Sequence, residues 1–125
     1  MIDKLNFDEK GLIPAIIQDY KTGKVLTLCY MNEEALDRTL REGKVYVFRR
    51  SKGRVMSKGE TSGNIQAVKE VFVDCADNSI LLKVEQTRAA CHEGYFTCYF
   101  RKIEGLDKEK IVEKKVFDPK DVYRK

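Results

Sequence analysis

The chain has 125 residues, 42% of them hydrophobic and 35% charged, which fits one globular domain with a heavily charged surface. Those proportions exclude a membrane-embedded chain and a generally disordered one. Lys and Arg outnumber Asp and Glu by 24 to 20; the resulting +4 suits a phosphate-bearing ligand, whereas bases interleaved with acids give little support to a nucleic-acid surface. The opening Met1-Ile2-Asp3-Lys4-Leu5-Asn6 has no apolar secretory core, so a cytosolic setting is expected. In that setting the four cysteines are expected to be thiols or metal ligands rather than disulfides.

In chain order, Ile13 to Gln18 is apolar, Lys21-Thr22-Gly23-Lys24 is a turn, and Val25 to Tyr30 is apolar again, which predicts a β-hairpin. Asn32 reads as a helix N-cap followed by Glu33 and Glu34 in the first turn. Ala35, Leu36, Thr39 and Leu40 repeat at helical spacing and Gly43 supplies a stop, so a helix is predicted over Glu33 to Glu42. Val45 to Arg50 is aromatic and β-branched, Ser51-Lys52-Gly53 turns, and Arg54 to Lys58 reads as a short return strand. Ile65 to Cys75 and Ser79 to Gln86 are two further strands around Ala76-Asp77-Asn78, and Tyr95 to Arg101 closes the β-rich part. The charge-dense stretch from Glu104 to Lys125 is expected to form a surface helix and a docked tail.

Cys75, Cys91 and Cys98 are spaced C-x15-C-H-x6-C, and the chain's one histidine, His92, follows Cys91. This is not a pattern of paired C-x-x-C knuckles, but three thiolates can hold Zn²⁺ and leave its fourth position open to a water that loses its proton near neutral pH. Alternatively these cysteines are small buried hydrophobes, as Cys29 in its apolar run is expected to be. His92, beside a candidate ligand, is suited to proton transfer because imidazole titrates near neutrality. The loop Lys58-Gly59-Glu60-Thr61-Ser62-Gly63 offers backbone N–H groups, two hydroxyls and an ammonium that could cradle phosphate, with Arg49, Arg50, Lys52 and Arg54 just upstream; an ordinary turn with solvated charges is the competing reading. Asp74-Cys75-Ala76-Asp77-Asn78 sets carboxylates, the hard donors Mg²⁺ needs, beside a candidate zinc ligand, although Asp77-Asn78 also suits a plain turn.

Several of these segments occur together in one order: Gly11-Leu12-Ile13-Pro14-Ala15, Tyr30-Met31-Asn32-Glu33-Glu34-Ala35-Leu36, Lys58-Gly59-Glu60-Thr61-Ser62-Gly63-Asn64, Asp74-Cys75, and Ala90-Cys91-His92 through Cys98. In that order and spacing the chain resembles the phosphoribosyl-AMP cyclohydrolase family of histidine biosynthesis, over about Gly11 to Arg101. The resemblance implies a mainly β (α+β) fold: twisted β-sheets forming a pseudo-barrel with one or two helices, in an intertwined homodimer with its active site at the subunit interface. It implies hydrolysis of the purine-ring N1–C6 bond of phosphoribosyl-AMP, a zinc ion and Mg²⁺. By the same resemblance Cys75 would come from one subunit and Cys91 with Cys98 from the other, His92 would move the proton, and Asp74 would face Mg²⁺, with Asn78 at a second position of that motif and Asp77 beside it as a further oxygen donor. The two phosphates of that substrate would be met by residues among Arg50, Arg54, Lys58, Glu60, Thr61, Ser62 and Gly63.

The usual magnesium pattern of that family is Asp-Cys-Asp-x-Asp. Here Ala76 and Asn78 stand at two of its aspartates and Asp77 is one position out of phase, so weaker Mg²⁺ binding is expected. Met56 stands where Trp is frequent, and Arg49 where Ser is common. Two other readings follow from these departures: a paralogue acting as a zinc hydrolase or deaminase on another purine-like nucleotide, and a zinc-stabilised dimer without turnover. A small RNA-binding β-domain has only Tyr46 and Phe48 near Arg49 and Arg50 in its favour.

Overall fold

The computed structural model describes residues 2–58, 65–86 and 93–118. A short 3₁₀ turn at Ile2–Lys4 leads to strand β1 (Ile13–Asp19), a tight connection, and strand β2 (Val25–Met31). The predicted hairpin forms, in antiparallel register from Ile13 opposite Met31 to Ile17 opposite Thr27. Helix α1 spans Glu33–Glu42, as predicted. The Asn32 side chain accepts from the Ala35 N–H, and Gly43 ends the helix at φ 74°, a left-handed conformation that only glycine adopts without strain. Ala35, Leu36 and Thr39 are buried, whereas Leu40, expected on the same stripe, is exposed.

Strands β3 (Tyr46–Arg49) and β4 (Arg54–Ser57) form a second hairpin, and β5 (Gln66–Val73) and β6 (Ile80–Gln86) a third. The main sheet has the order β2-β1-β6-β5, with β1 and β6 parallel. Alternation along β1 and β6 sends Ile13, Ala15, Ile17, Ile80, Leu82 and Val84 into one core with Leu36 of the helix. The other face of the sheet carries a row of apolar side chains in cross-strand register: Leu28, Ile16, Leu81 and Phe72.

The mainly β architecture with one α-helix among the described residues agrees with the sequence reading, but the strands do not close into a barrel; three separate sheets remain. The end of the chain also departs from expectation. Instead of a surface helix, β7 (Arg101–Gly105) and β8 (Lys108–Ile111) form a hairpin turned by Leu106 and Asp107. Gly105 disfavours helix, Leu106 and Ile111 do not share a helical stripe, and the Arg101 guanidinium meets the Glu109 carboxylate across the hairpin at 3.6 Å. Residues 95–100, expected as a strand, run irregularly because Thr97 and Cys98 bond to β2 rather than to a neighbour in register. No helix among the described residues is long and apolar enough to cross a membrane.

Candidate active site

Strand β5 ends at Val73, and Cys75 sits exposed in the turn that follows. That turn is built by Asp74, whose Oδ1 accepts from the N–H groups of Asn78 (2.8 Å) and Ser79 (3.0 Å). Asp77 takes a left-handed conformation at φ 58°, so strand alternation does not govern where its carboxylate points. The N-terminal segment straps the same turn: Asn6 donates its N–H to the Asp77 carbonyl and its side-chain amide to the Ala76 carbonyl. One oxygen of Asp74 is therefore engaged in holding backbone.

Cys98 lies elsewhere. Its N–H donates to the Leu26 carbonyl at 2.7 Å, and the buried Thr97 hydroxyl donates to the Val25 carbonyl at the same distance. A stacked pair, Tyr95 and Phe100, packs beside it with ring centroids 3.8 Å apart. Cys98 is near enough to Cys29 on β2 to affect its titration, and so are the cations of Lys58 and Arg49. Burial pushes the Cys29 thiol up to about 12, against the pull of those two cations. It packs half-buried against the core, with its Sγ 3.6 Å from the Ala15 carbonyl, as the sequence reading had it.

Cys98, Lys58 and Arg49 thus lie within electrostatic reach of Cys29. Tyr30, the next residue on β2, carries the Arg50 guanidinium over its ring, 4.4 Å from the centroid. Arg54, paired with Arg49 across the β3–β4 hairpin, lines a cleft with Arg38 and Lys44.

Cys75 and Cys98 are not neighbours in the sheet. Cys75 follows β5, and Cys98 bonds to β2; these are the two edge strands. In the register, Val73 is level with Ile80, Ala15 and Cys29, while Leu26 lies three residues further along β2, about 10 Å at strand rise. Among the described residues, no three His, Cys, Asp or Glu side chains converge to hold a metal ion. Both thiols are free and at least partly open to solvent, and soft thiolates are the donors Zn²⁺ takes. Cys91, His92, Glu60, Thr61, Ser62 and Gly63 lie outside the described residues.

The segments that carry those residues leave from one corner. The phosphate-loop candidate ends at Ile65, just before β5, and the Cys-His segment begins after Gln86, where β6 stops. At that corner Gln66, 1% exposed, donates its amide to the Gln86 Oε1 at 2.7 Å, while its own buried Oε1 has no hydrogen-bond partner among the described residues. Sequence reasoning missed Gln66 and Tyr30, since a Gln opening an apolar strand and a Tyr after a core cysteine look ordinary.

The family model for phosphoribosyl-AMP cyclohydrolase matches residues 27–100. The phosphoribosyl-AMP cyclohydrolase of Pelotomaculum thermopropionicum is 49% identical over 124 residues, covering 99% of this chain and 96% of the relative. That of Methanothrix thermoacetophila is 49% identical over 125 residues, the full length of both chains. The histidine biosynthesis bifunctional protein HisIE of Caldanaerobacter subterraneus is 53% identical over 103 residues, covering 82% of this chain and 50% of that one. On this match the chain belongs to the phosphoribosyl-AMP cyclohydrolase family, whose members are hydrolases.

Proposed function

We propose that the chain hydrolyses the N1–C6 bond of the purine ring of phosphoribosyl-AMP, in histidine biosynthesis, as a zinc-dependent homodimer. The observation that carries this reading is the 49% identity, over the whole chain, to relatives named for that activity. The donor set fits zinc: Cys75, Cys91 and Cys98 would hold it, and bound there it supplies a water nucleophilic near neutral pH. In the hydrolysis C6 gains the water oxygen, the N1–C6 bond breaks, and His92 delivers the proton to N1. Lys58, whose charge reaches the Cys29–Cys98 thiols, and Arg50, over the Tyr30 ring, would hold one phosphate of the substrate, with Glu60, Thr61, Ser62 and Gly63 of the adjoining loop. Mg²⁺ would be held weakly by Asp74, Asp77 and Asn78, because one Asp74 oxygen already accepts two backbone bonds.

The split of the thiols supports the homodimer. Cys75 follows one edge strand and Cys98 bonds to the other, an arrangement that suits a zinc site with Cys75 from one copy and Cys91 with Cys98 from the other. The outward sheet face supports pairing. Leu28, Ile16 and Phe72 are 46, 38 and 44% exposed and, with Leu81, form an unbroken apolar row across four strands. Thiol ligands persist in a reducing compartment, which suits the cytoplasm.

The test is turnover of phosphoribosyl-AMP by the zinc-loaded protein, with Mg²⁺ varied from none to excess. Turnover that rises only at millimolar Mg²⁺ is expected. No turnover at any Mg²⁺ level, with zinc bound and the dimer intact, would sink the proposal in favour of a paralogue or a binding dimer.

A further inference from the structure

A cleft of about 450 Å³ opens between helix α1 and the β3–β4 hairpin. Three cations converge on it: Arg38 from the helix, Lys44 just before β3, and Arg54 from the start of β4. Its apolar lining comes from Val55, Met56 and Ile65. The Tyr46 ring holds two of the cations, with the Arg38 guanidinium 4.2 Å and the Lys44 ammonium 5.7 Å from its centroid.

The carboxylates nearby offset part of this charge. Glu42 and Glu34 pair with Arg38, at 3.3 and 4.0 Å, and Glu42 also feels the Lys44 charge. Among the described residues neither Lys44 nor Arg54 has a carboxylate within ion-pair distance. Cationic side chains ordinarily spread into water; Lys44 and Arg54, neither in an ion pair among the described residues, line one concave, partly apolar site and leave charge there that a bound dianion would balance. The position of the cleft adds to the argument. Ser57 and Ile65 line it, and they bracket the Lys58–Asn64 loop.

We infer that this cleft is a second anion subsite, which takes one phosphate monoester, with its ribose against Met56 and Ile65, while the other phosphate of the same substrate lies on the Lys58–Arg50 side. The inference rests on the proposed cyclohydrolase reading, which supplies a ligand with two phosphates. It assigns Arg54 together with Lys44 and Arg38 to substrate affinity, and none of them to the chemical step. Arg38, braced by Glu42, orients the Tyr46 ring and adds its charge.

The experiment compares zinc-loaded wild type with the Lys44→Gln/Arg54→Gln double variant, both changes at positions open to solvent. Two readouts are taken: KM and kcat for phosphoribosyl-AMP, and calorimetric binding of ribose 5-phosphate. Loss of two charge-assisted contacts is expected to raise KM at least tenfold, with kcat within about twofold, and to weaken ribose 5-phosphate at least tenfold. Arg54→Lys, keeping the charge, is expected to recover part of the lost affinity. Wild-type turnover with an unchanged KM in the double variant overturns the subsite and leaves the cyclohydrolase reading standing. Absence of wild-type turnover defeats that reading instead. The binding readout then decides: weaker ribose 5-phosphate in the double variant supports the subsite, and equal or undetectable binding in both proteins overturns it.

Discussion

At the scale of single residues, the same side chains do structural and chemical work, and the clearest case lies under the cationic cleft. The Tyr46 hydroxyl donates to Glu42 at 2.5 Å while Arg38 approaches the same carboxylate. The tyrosine hydrogen bond, then the arginine, hold the Glu42 carboxyl below its ordinary value of 4.5. A depressed carboxyl pKa stabilises the fold fully above the ordinary value, and the contribution fades as pH falls through the lowered one. Melting temperatures of wild type and Tyr46→Phe are therefore expected to differ at pH 7 and to draw together below pH 4.5. A gap that stays constant into acid would show that the pair is not coupled to this titration. Asp74 is a second case. The sequence offered it as a metal ligand, and the fold also uses it to close the β5–β6 turn. Neither contact was legible beforehand, because each depends on where a turn places its backbone N–H groups.

At the scale of elements, local chemistry was read well and long-range partnership poorly. The cap and stop of α1, the hairpin of β1 and β2, and the turn at Ser51-Lys52-Gly53 are all encoded within a few residues, and they formed as predicted. The C-terminal hairpin was missed because charge density gave no clear period, and the strap at Thr97–Cys98 because its partner, β2, lies some 70 residues earlier. Thr39 illustrates how elements are joined. Its hydroxyl donates to the Ala35 carbonyl and accepts from the buried Tyr46 N–H at 2.9 Å, tying the helix to β3. Thr39→Val keeps the shape and strands that N–H, so a loss of about 1–3 kcal/mol is expected in chemical denaturation. A change within a few tenths would mean that water reaches Tyr46 once the hydroxyl is gone.

At the scale of the whole molecule, the sheet sets the two described thiols of the candidate ligand set, Cys75 and Cys98, apart. The spacing of Cys75, Cys91 and Cys98 suggested one ligand set, yet strand order carries Cys75 and Cys98 to opposite edges. Spacing along a chain says nothing about which edge of a sheet a loop leaves from; the division of the thiols between subunits was expected from the family resemblance alone, and the strand order is compatible with it. The apolar row on the outward face alternates with the core face along the same strands.

The shared site can be tested by complementation between two inactive proteins. Cys75→Ser and Cys98→Ser are each expected to abolish turnover of phosphoribosyl-AMP. Unfolded and refolded together, half of the dimers are mixed, and each mixed dimer holds one intact site of two, so about a quarter of wild-type activity should return. Recovery near that level would establish that one site draws thiols from two copies. No recovery, from mixtures shown to contain mixed dimers, would contradict the account and require all three thiols to meet within a single chain.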